Sequence, residues 1–383
     1  MANNKESCLK IALVAEQRLT YLQLGYTSEE CAALTHDGEV KAVAAALEGL
    51  GHQVTLVPGI SSLVEHLVAG RHKDWDLVFN MAQGFHGSSR ESQVPALLEA
   101  YMVPYTFSSA ATMALLPATR TRVCPSRAER RGLKQGDQII LDHYGVPNAR
   151  FMVVRSGHVD LLDNATLPPN YPLFVKPVIE GSSKGIDGFN KVNSLAELER
   201  AVKKLQARFP GQDILVESFL SGREFTVSIL GTGSHGRVIG VREHIWQASP
   251  GNEYHETPEF ASWESKLSEE CVLRYNDSHD MDDAHVKAAC RVALDTWAAL
   301  GCRDAGRVDI RFDTNDADAV PNVLEVNPIA GLLPGHSPLP ASASENGLSF
   351  EALLTAIIAS ALSRDLPGGR PLEVPNGDCV RGG

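Results

Sequence analysis

Long apolar runs are missing from this 383-residue sequence, and the one that follows the N-terminal segment, Ile11 to Ala15, is five residues. A bilayer span needs about 20 and a secretion signal a longer core than this, so neither membrane nor export is expected and the expected location is cytoplasmic. Cysteine is sparse: seven residues, odd in number, scattered and never in CxxC spacing. That excludes a disulfide framework and a zinc site, and leaves buried reduced thiols as the expectation. Basic stripes are also missing, since the net charge is −12, which argues against a nucleic-acid partner. No Walker loop of the form GxxxxGK[ST] occurs. What is present is the 43% apolar, 21% charged balance of a globular protein, long enough for two or three domains.

The first hundred residues alternate short apolar strands with helical stretches: strands over Leu9 to Ala15, Val54 to Val57 and Leu77 to Phe79, helices over Glu39 to Leu50 and Gln93 to Tyr101. This rhythm predicts a parallel α/β domain. From Asn148 paired strands follow (Ala149 to Val154, Phe174 to Pro177, Asp213 to Glu217) and predict a separate α+β lobe. A third region carries strands over Phe225 to Leu230, Val238 to Glu243, Arg307 to Phe312 and Val323 to Val326, with helices over Ala284 to Leu300 and Ser349 to Leu362. A long polar stretch from His244 to Glu270 reads as a lid loop. Five arginines (Arg120, Arg122, Arg127, Arg130, Arg131) crowd the segment Pro117 to Gln135, which reads as an inserted loop. The domain boundaries expected are 1–116, 117–217 with the Arg-rich insertion, 218–365, and a flexible tail over 366–383.

Three local patterns carry chemistry. Phe174-Val-Lys-Pro-Val-Ile-Glu-Gly-Ser-Ser-Lys-Gly185 presents Lys176 on a strand and then a Gly/Ser turn with Gly181, Ser182 and Ser183. Backbone amides and hydroxyls of such a turn surround phosphate oxygens, and the strand aims the lysine at the same place. In Arg307-Val-Asp-Ile-Arg-Phe312, Arg307, Asp309 and Arg311 share one face; in Leu324-Glu-Val-Asn327, Glu325 and Asn327 share a face while Leu324 and Val326 should pack behind. Three hard oxygen ligands on neighbouring strands suit Mg²⁺ held between protein and phosphates. Between them, Val216 to Val227 alternates Glu224, Thr226 and Ser228 against Phe225, Val227 and Ile229, a strand able to offer amides to a purine and a carboxylate to ribose.

Taken in order, these elements resemble an ATP-grasp ligase of the D-alanine–D-alanine ligase family. The likeness runs over roughly Asn80 to Ser360 and includes Gln93-Val-Pro-Ala-Leu-Leu-Glu99, Val103-Pro-Tyr-Thr106, the Gly/Ser turn, Val216-Glu-Ser-Phe-Leu-Ser-Gly-Arg-Glu-Phe225, Gly306-Arg-Val-Asp309, Leu324-Glu-Val-Asn327 and His336-Ser337. The resemblance implies an ATP-grasp fold, α/β and α+β, behind an N-terminal parallel α/β domain. It also implies ATP with two Mg²⁺, or Mn²⁺ in their place. The carboxylate of one amino acid would become an acyl phosphate that passes to an amine. Lys134 and Lys176 would hold ATP phosphates, Gly181, Ser182 and Ser183 would close over the γ-phosphate, and Glu217, Phe219 and Leu220 would bracket adenine. Glu224 would hold the ribose, and Asp309, Glu325 and Asn327 the metal ions. Arg307 would stabilise the transferring phosphoryl group, while Ser337 and Lys266 would orient the acceptor. The partners implied are small molecules, and a homodimer is compatible with them.

The departures lie at the N-terminus and in the insertion. The family's GGxSxE pattern is missing. In its place stand Tyr21-Leu-Gln-Leu-Gly-Tyr-Thr-Ser-Glu-Glu30 and the stretch Asn80 to Glu91, which resemble a divergent branch that includes ligases of mycosporine-type scaffolds. Lys134 lacks the aspartate that usually precedes it, and Lys266 is followed by Leu267 where the family has tyrosine. Two alternatives stay open: a ligase that adds an amino acid to a non-peptide molecule, and a degenerate protein that binds ATP without turning it over.

Overall fold

The computed structural model describes residues 8–28, 30–87, 89–115, 141–158, 167–178, 185–248 and 271–364; the side chains of 32, 33, 246–248 and 271–274 are outside the description. Lys134, Gly181, Ser182, Ser183 and Lys266, with the Arg-rich segment and the tail, lie outside the described residues.

The N-terminal apolar runs form β1 (Lys10–Ala15), β2 (Gln53–Pro58) and β3 (Leu77–Asn80), parallel in the order β2-β1-β3. β1 is buried along Ile11 to Ala15 because it is central and covered on both faces. Helices α1 (Arg18–Gln23), α2 (Asp37–Gly49), α3 (Gly59–Val68), α4 (Gln93–Ala100) and α5 (Ala110–Leu115) connect and follow these strands. The helix expected from Glu39 begins two residues earlier, because His36 caps it by accepting the Gly38 amide.

The middle segment pairs β4 (Phe151–Val154), β5 (Leu173–Pro177), β6 (Lys191–Val192) and β7 (Ile214–Ser218) in the order β4-β7-β5-β6, backed by α6 (Leu195–Arg208). The large sheet is antiparallel in the order β10-β9-β8-β11-β12, with β8 Glu224–Leu230, β9 Arg237–Ala248, β10 Cys271–Asn276, β11 Ala305–Phe312 and β12 Pro321–Asn327. Helix α7 (Ala284–Ala299) covers its apolar face, and the fully buried Trp297 packs there with Phe225, Ile310 and Phe312. α8 (Pro338–Glu345) and α9 (Phe350–Leu362) complete the chain.

α9 returns to the beginning of the molecule: Leu353, Leu354, Ile357 and Ile358 share one core with Ile11, Leu13, Val43 and Leu47. A buried polar knot fixes that return. Asp304, held in the left-handed region at φ 62°, accepts the Phe107 amide at 2.6 Å and the Ser360 hydroxyl at 2.9 Å, and pairs with Arg364 at 3.1 Å. Burial raises the Asp304 carboxyl despite that arginine.

Three expectations need correction. β9 runs on to Ala248, so His244 is a strand residue and the polar stretch starts later; β10 pairs with it and closes that stretch. Leu324 does not pack behind β12, because the register jumps from the pair Asp309–Glu325 to Ile310–Val323 and leaves Leu324 without a partner on β11. Val326 is in the core as expected, and the bulge puts Val323 there in place of Leu324. Cys8 is exposed rather than buried, whereas Cys31 and Cys302 are buried and Cys290 half-buried.

Candidate active site

The polar faces of β8, β11 and β12 lie side by side on the large sheet. Thr226 pairs with Asp309 across β8 and β11, and Asp309 pairs with Glu325 across β11 and β12. Register alone therefore brings the three polar strand positions into one row. The Thr226 hydroxyl donates to Asp309 Oδ1 at 2.7 Å, and Asn327 Nδ2 donates to Oδ2 at 3.2 Å. A hydroxyl has one proton, so the 3.0 Å contact between Thr226 Oγ1 and His244 Nε2 requires His244 to carry the proton on Nε2. Thr226 is buried, which makes this chain of donors a fixed orientation for Asp309.

Arg307 lies on the same face, its Nε 3.6 Å from Asp309 Oδ2. That nitrogen is buried and has no hydrogen-bond partner among the described residues, the 3.6 Å pair with Asp309 being too long for one, so the donor stays available to a further anion. Gly306, just before it, has a structural cause. A Cβ there would stand 2.5 Å from the Asn327 carbonyl and 2.5 Å from the Trp297 ring, so only glycine lets β11 approach β12 and the helix beneath.

One end of the row carries the residues expected to border a purine and its ribose. Glu224 accepts from Arg311 Nη1 at 3.2 Å and lies 3.9 Å from His244 Nδ1. Lys176 and Glu217, drawn from adjacent strands, form an ion pair at 2.7 Å, so the two predicted ligands of one nucleotide are already neighbours. The Phe219 ring has Lys191 above it at 4.6 Å and Arg311 at 5.4 Å. Its amide donates to the Pro172 carbonyl at 3.1 Å, so this amide extends the pairing of β7 with β5 rather than serving a ring. Leu220 is buried beside it.

At the other end, Ser337 caps α8 and is largely buried. Its Oγ accepts the Leu333 amide at 3.1 Å, which leaves the hydroxyl proton as a donor at a helix N-terminus, a place suited to a carboxylate. Glu39, from the first turn of α2, accepts the Leu332 amide at 2.6 Å across 293 residues of sequence. Burial raises the Glu39 carboxyl above its ordinary range. Reading the sequence missed Glu39 and His244: nothing local marks a residue whose partner is 293 positions away, although the alternation of Glu224 and Thr226 had already singled out β8.

Among the described residues no cluster of three or more His, Cys, Asp or Glu side chains forms a ready metal cage. The donors on this face, two carboxylates and an amide, are all hard oxygen ligands, which fits a magnesium ion that takes the rest of its shell from water and phosphate.

The description "D-ala D-ala ligase C-terminus" is that of the family model matched by residues 140–359. The chain belongs to the D-alanine–D-alanine ligase family. Among curated relatives, a D-alanine–D-alanine ligase B of Xanthomonas campestris pv. campestris is 30% identical over 341 residues, 88% of this chain and 93% of that one. A D-alanine–D-alanine ligase of Xanthomonas axonopodis pv. citri is 29% identical, over 90% and 95%. The solved D-alanine–D-alanine ligase of Bacillus anthracis superimposes with a TM-score of 0.67 at 18% identity, covering 93% of this chain and 98% of that chain; its complex with ATP gives 0.64. The fold is therefore ATP-grasp behind an N-terminal parallel α/β sheet, as the sequence predicted. This member of the ligase family is an ATP-dependent enzyme acting on small molecules. Among the described residues no helix is long and apolar enough to cross a membrane.

Proposed function

We propose that the enzyme joins two amino acids through an acyl phosphate. The γ-phosphoryl group of ATP passes to the carboxylate of the first; the amine of the second then attacks the acyl carbon, an amide forms, and inorganic phosphate and ADP leave. The observation that carries this reading is the buried Arg307 Nε, which has no hydrogen-bond acceptor among the described residues, beside an oxygen-lined row made by Asp309, Glu325 and Asn327. An orphaned guanidinium donor there suits the charge that accumulates on the transferring phosphoryl group.

Asp309, Glu325 and Asn327 would hold two Mg²⁺, whose chemistry is to neutralise the phosphate charge and polarise the transferring group. Thr226 and His244 keep Asp309 oriented for that task. Lys176 would hold phosphate, with Lys134 and the Gly181, Ser182 and Ser183 turn beside it, and Glu217, Phe219 and Leu220 would border adenine with Glu224 on the ribose. The Ser337 hydroxyl would donate to the carboxylate of the acceptor, assisted by Lys266. The lobes of this proposal divide at 1–116, 117–217 and 218–365.

The test is a matrix of amino-acid pairs read by phosphate release and by mass spectrometry of the products. An ATP-dependent product lighter by one water than the sum of its two substrates supports the proposal. A phosphorylated single substrate as the stable end product overturns it.

A further inference from the structure

The two stretches in which the sequence departs from its family, Tyr21 to Glu30 and Asn80 to Glu91, meet in space. Tyr21 and Phe85 have ring centroids 4.5 Å apart, Tyr26 and Phe85 4.6 Å, and Phe85 and His86 4.6 Å. The Tyr26 hydroxyl lies 3.4 Å from His86 Nε2. The rings stand beyond the C-terminal ends of β1 and β3. With the order β2-β1-β3 the chain reverses direction across the sheet at that point, which is where open parallel sheets receive ligands.

These rings are not part of a core. None of them belongs to the four buried clusters, α1 buries no residue, and Tyr21, Tyr26 and Phe85 stay half-exposed with His86 exposed. The loop that presents Phe85 and His86 is nonetheless built firmly. The buried Glu16 accepts the Gly84 amide at 3.1 Å, Arg90 Nε donates to the Gln83 carbonyl at 3.3 Å, and Gln93 donates to the His86 carbonyl at 2.8 Å. Gly84, at φ 62°, is pressed so closely on Arg90 that a Cβ would stand 2.4 Å from its carbonyl oxygen. Three anchors and a forced glycine spent on holding two rings at the surface indicate a surface that is used.

The chemistry of the occupant follows from what surrounds the rings. Arg18 is engaged by the Cys31 and Leu34 carbonyls, Arg90 by Gln83 and Glu91, Glu30 by Thr27 and Glu16 by Gly84. Apart from the buried Glu16 Oε1, which has no hydrogen-bond partner among the described residues, these charges are turned to the protein, and what a ligand meets at the surface is the ring faces and edges of the cluster, which prefer another ring in offset or edge-on contact. The same edge of the sheet is tied to the acceptor end of the site: Thr35 donates to the Met81 carbonyl at 3.0 Å, and one turn later Glu39 holds Leu332.

We infer that Tyr21, Tyr26, Phe85 and His86 form the side-chain subsite for an amino-acid substrate bearing an aromatic ring. This rests on the ligase reading above and deepens it. The test uses the full chain with ATP and Mg²⁺. Binding of phenylalanine, tryptophan and alanine, in both enantiomers, is measured by calorimetry beside phosphate release with each paired amine. An aromatic amino acid should bind at least about tenfold more tightly than alanine. Phe85→Leu, which keeps apolar volume and removes the ring, should erase that preference, and Tyr26→Leu should weaken it; thermal melting checks that both variants fold. Alanine binding as tightly as phenylalanine, or a preference that survives both substitutions, overturns the inference. Turnover of two small aliphatic amino acids with no aromatic binding would sink the subsite and leave the ligase proposal standing; ring-dependent binding without any amide product would do the reverse.

Discussion

Thr226→Val is the sharpest probe of the site, because it preserves shape and deletes two hydrogen bonds. The hydroxyl donates to a carboxylate at 2.7 Å and accepts from His244 at 3.0 Å, at a residue 2% exposed. A bond to a charged group contributes about 1.5–3 kcal/mol and a neutral one about 1, and water cannot replace either at that burial. The variant should therefore lose about 2–4 kcal/mol of unfolding free energy in urea. Asp309 would then be steadied by Asn327 at the longer 3.2 Å and by the looser Arg307 pair at 3.6 Å, so the Mg²⁺ concentration for half-maximal ADP release should rise roughly tenfold, the equivalent of about 1.4 kcal/mol. Thr226→Ser keeps the hydroxyl and gives up a methyl group. It should lose about 1 kcal/mol while its Mg²⁺ dependence stays with the parent. If Val and Ser variants share one Mg²⁺ curve, the claim that the hydroxyl orients Asp309 is wrong.

Three further outcomes are expected. Glu325→Gln removes one charge from a proposed metal ligand without changing its shape, so ADP release should drop by about 10²–10³ while the urea midpoint moves little; parent-like turnover would remove Glu325 from the metal site. Burial raises the Glu16 carboxyl in the folded state. Its neutral form is thus favoured by folding, and its contribution is complete at low pH and lost as pH rises from the ordinary carboxylate range through the raised folded value. Glu16→Gln should flatten that decline, and parallel stability curves for parent and variant between pH 4 and 8 would contradict it. Gly306→Ala forces a Cβ to 2.5 Å from a backbone carbonyl and from Trp297, and should cost at least about 2 kcal/mol by overpacking and strand displacement; an unchanged thermal midpoint would mean the strands part without strain.

What the sequence determined by itself is the set of elements and the rows of side chains on them. Period-two alternation put Arg307 and Asp309 on one face and Val308, Ile310 and Phe312 on the other, and burial follows that split because a strand projects successive side chains to opposite sides. The ordered motifs likewise announced the ligase family that the match over residues 140–359 shows. Local sequence could not reveal what depends on distant partners. The bulge at Leu324 comes from how β12 registers against β11. The clasp of Glu39 on Leu332 joins residues 293 apart, and the docking of α9 on the first sheet is decided by which apolar faces remain uncovered once the others have paired. The ring cluster shows the division most plainly: the stretches Tyr21 to Glu30 and Asn80 to Glu91 could be read along the chain as departures from the family pattern, but only the reversal of strand order beside β1 brings Tyr21, Tyr26, Phe85 and His86 to one edge, because contacts between separate segments are set by packing and not by periodicity.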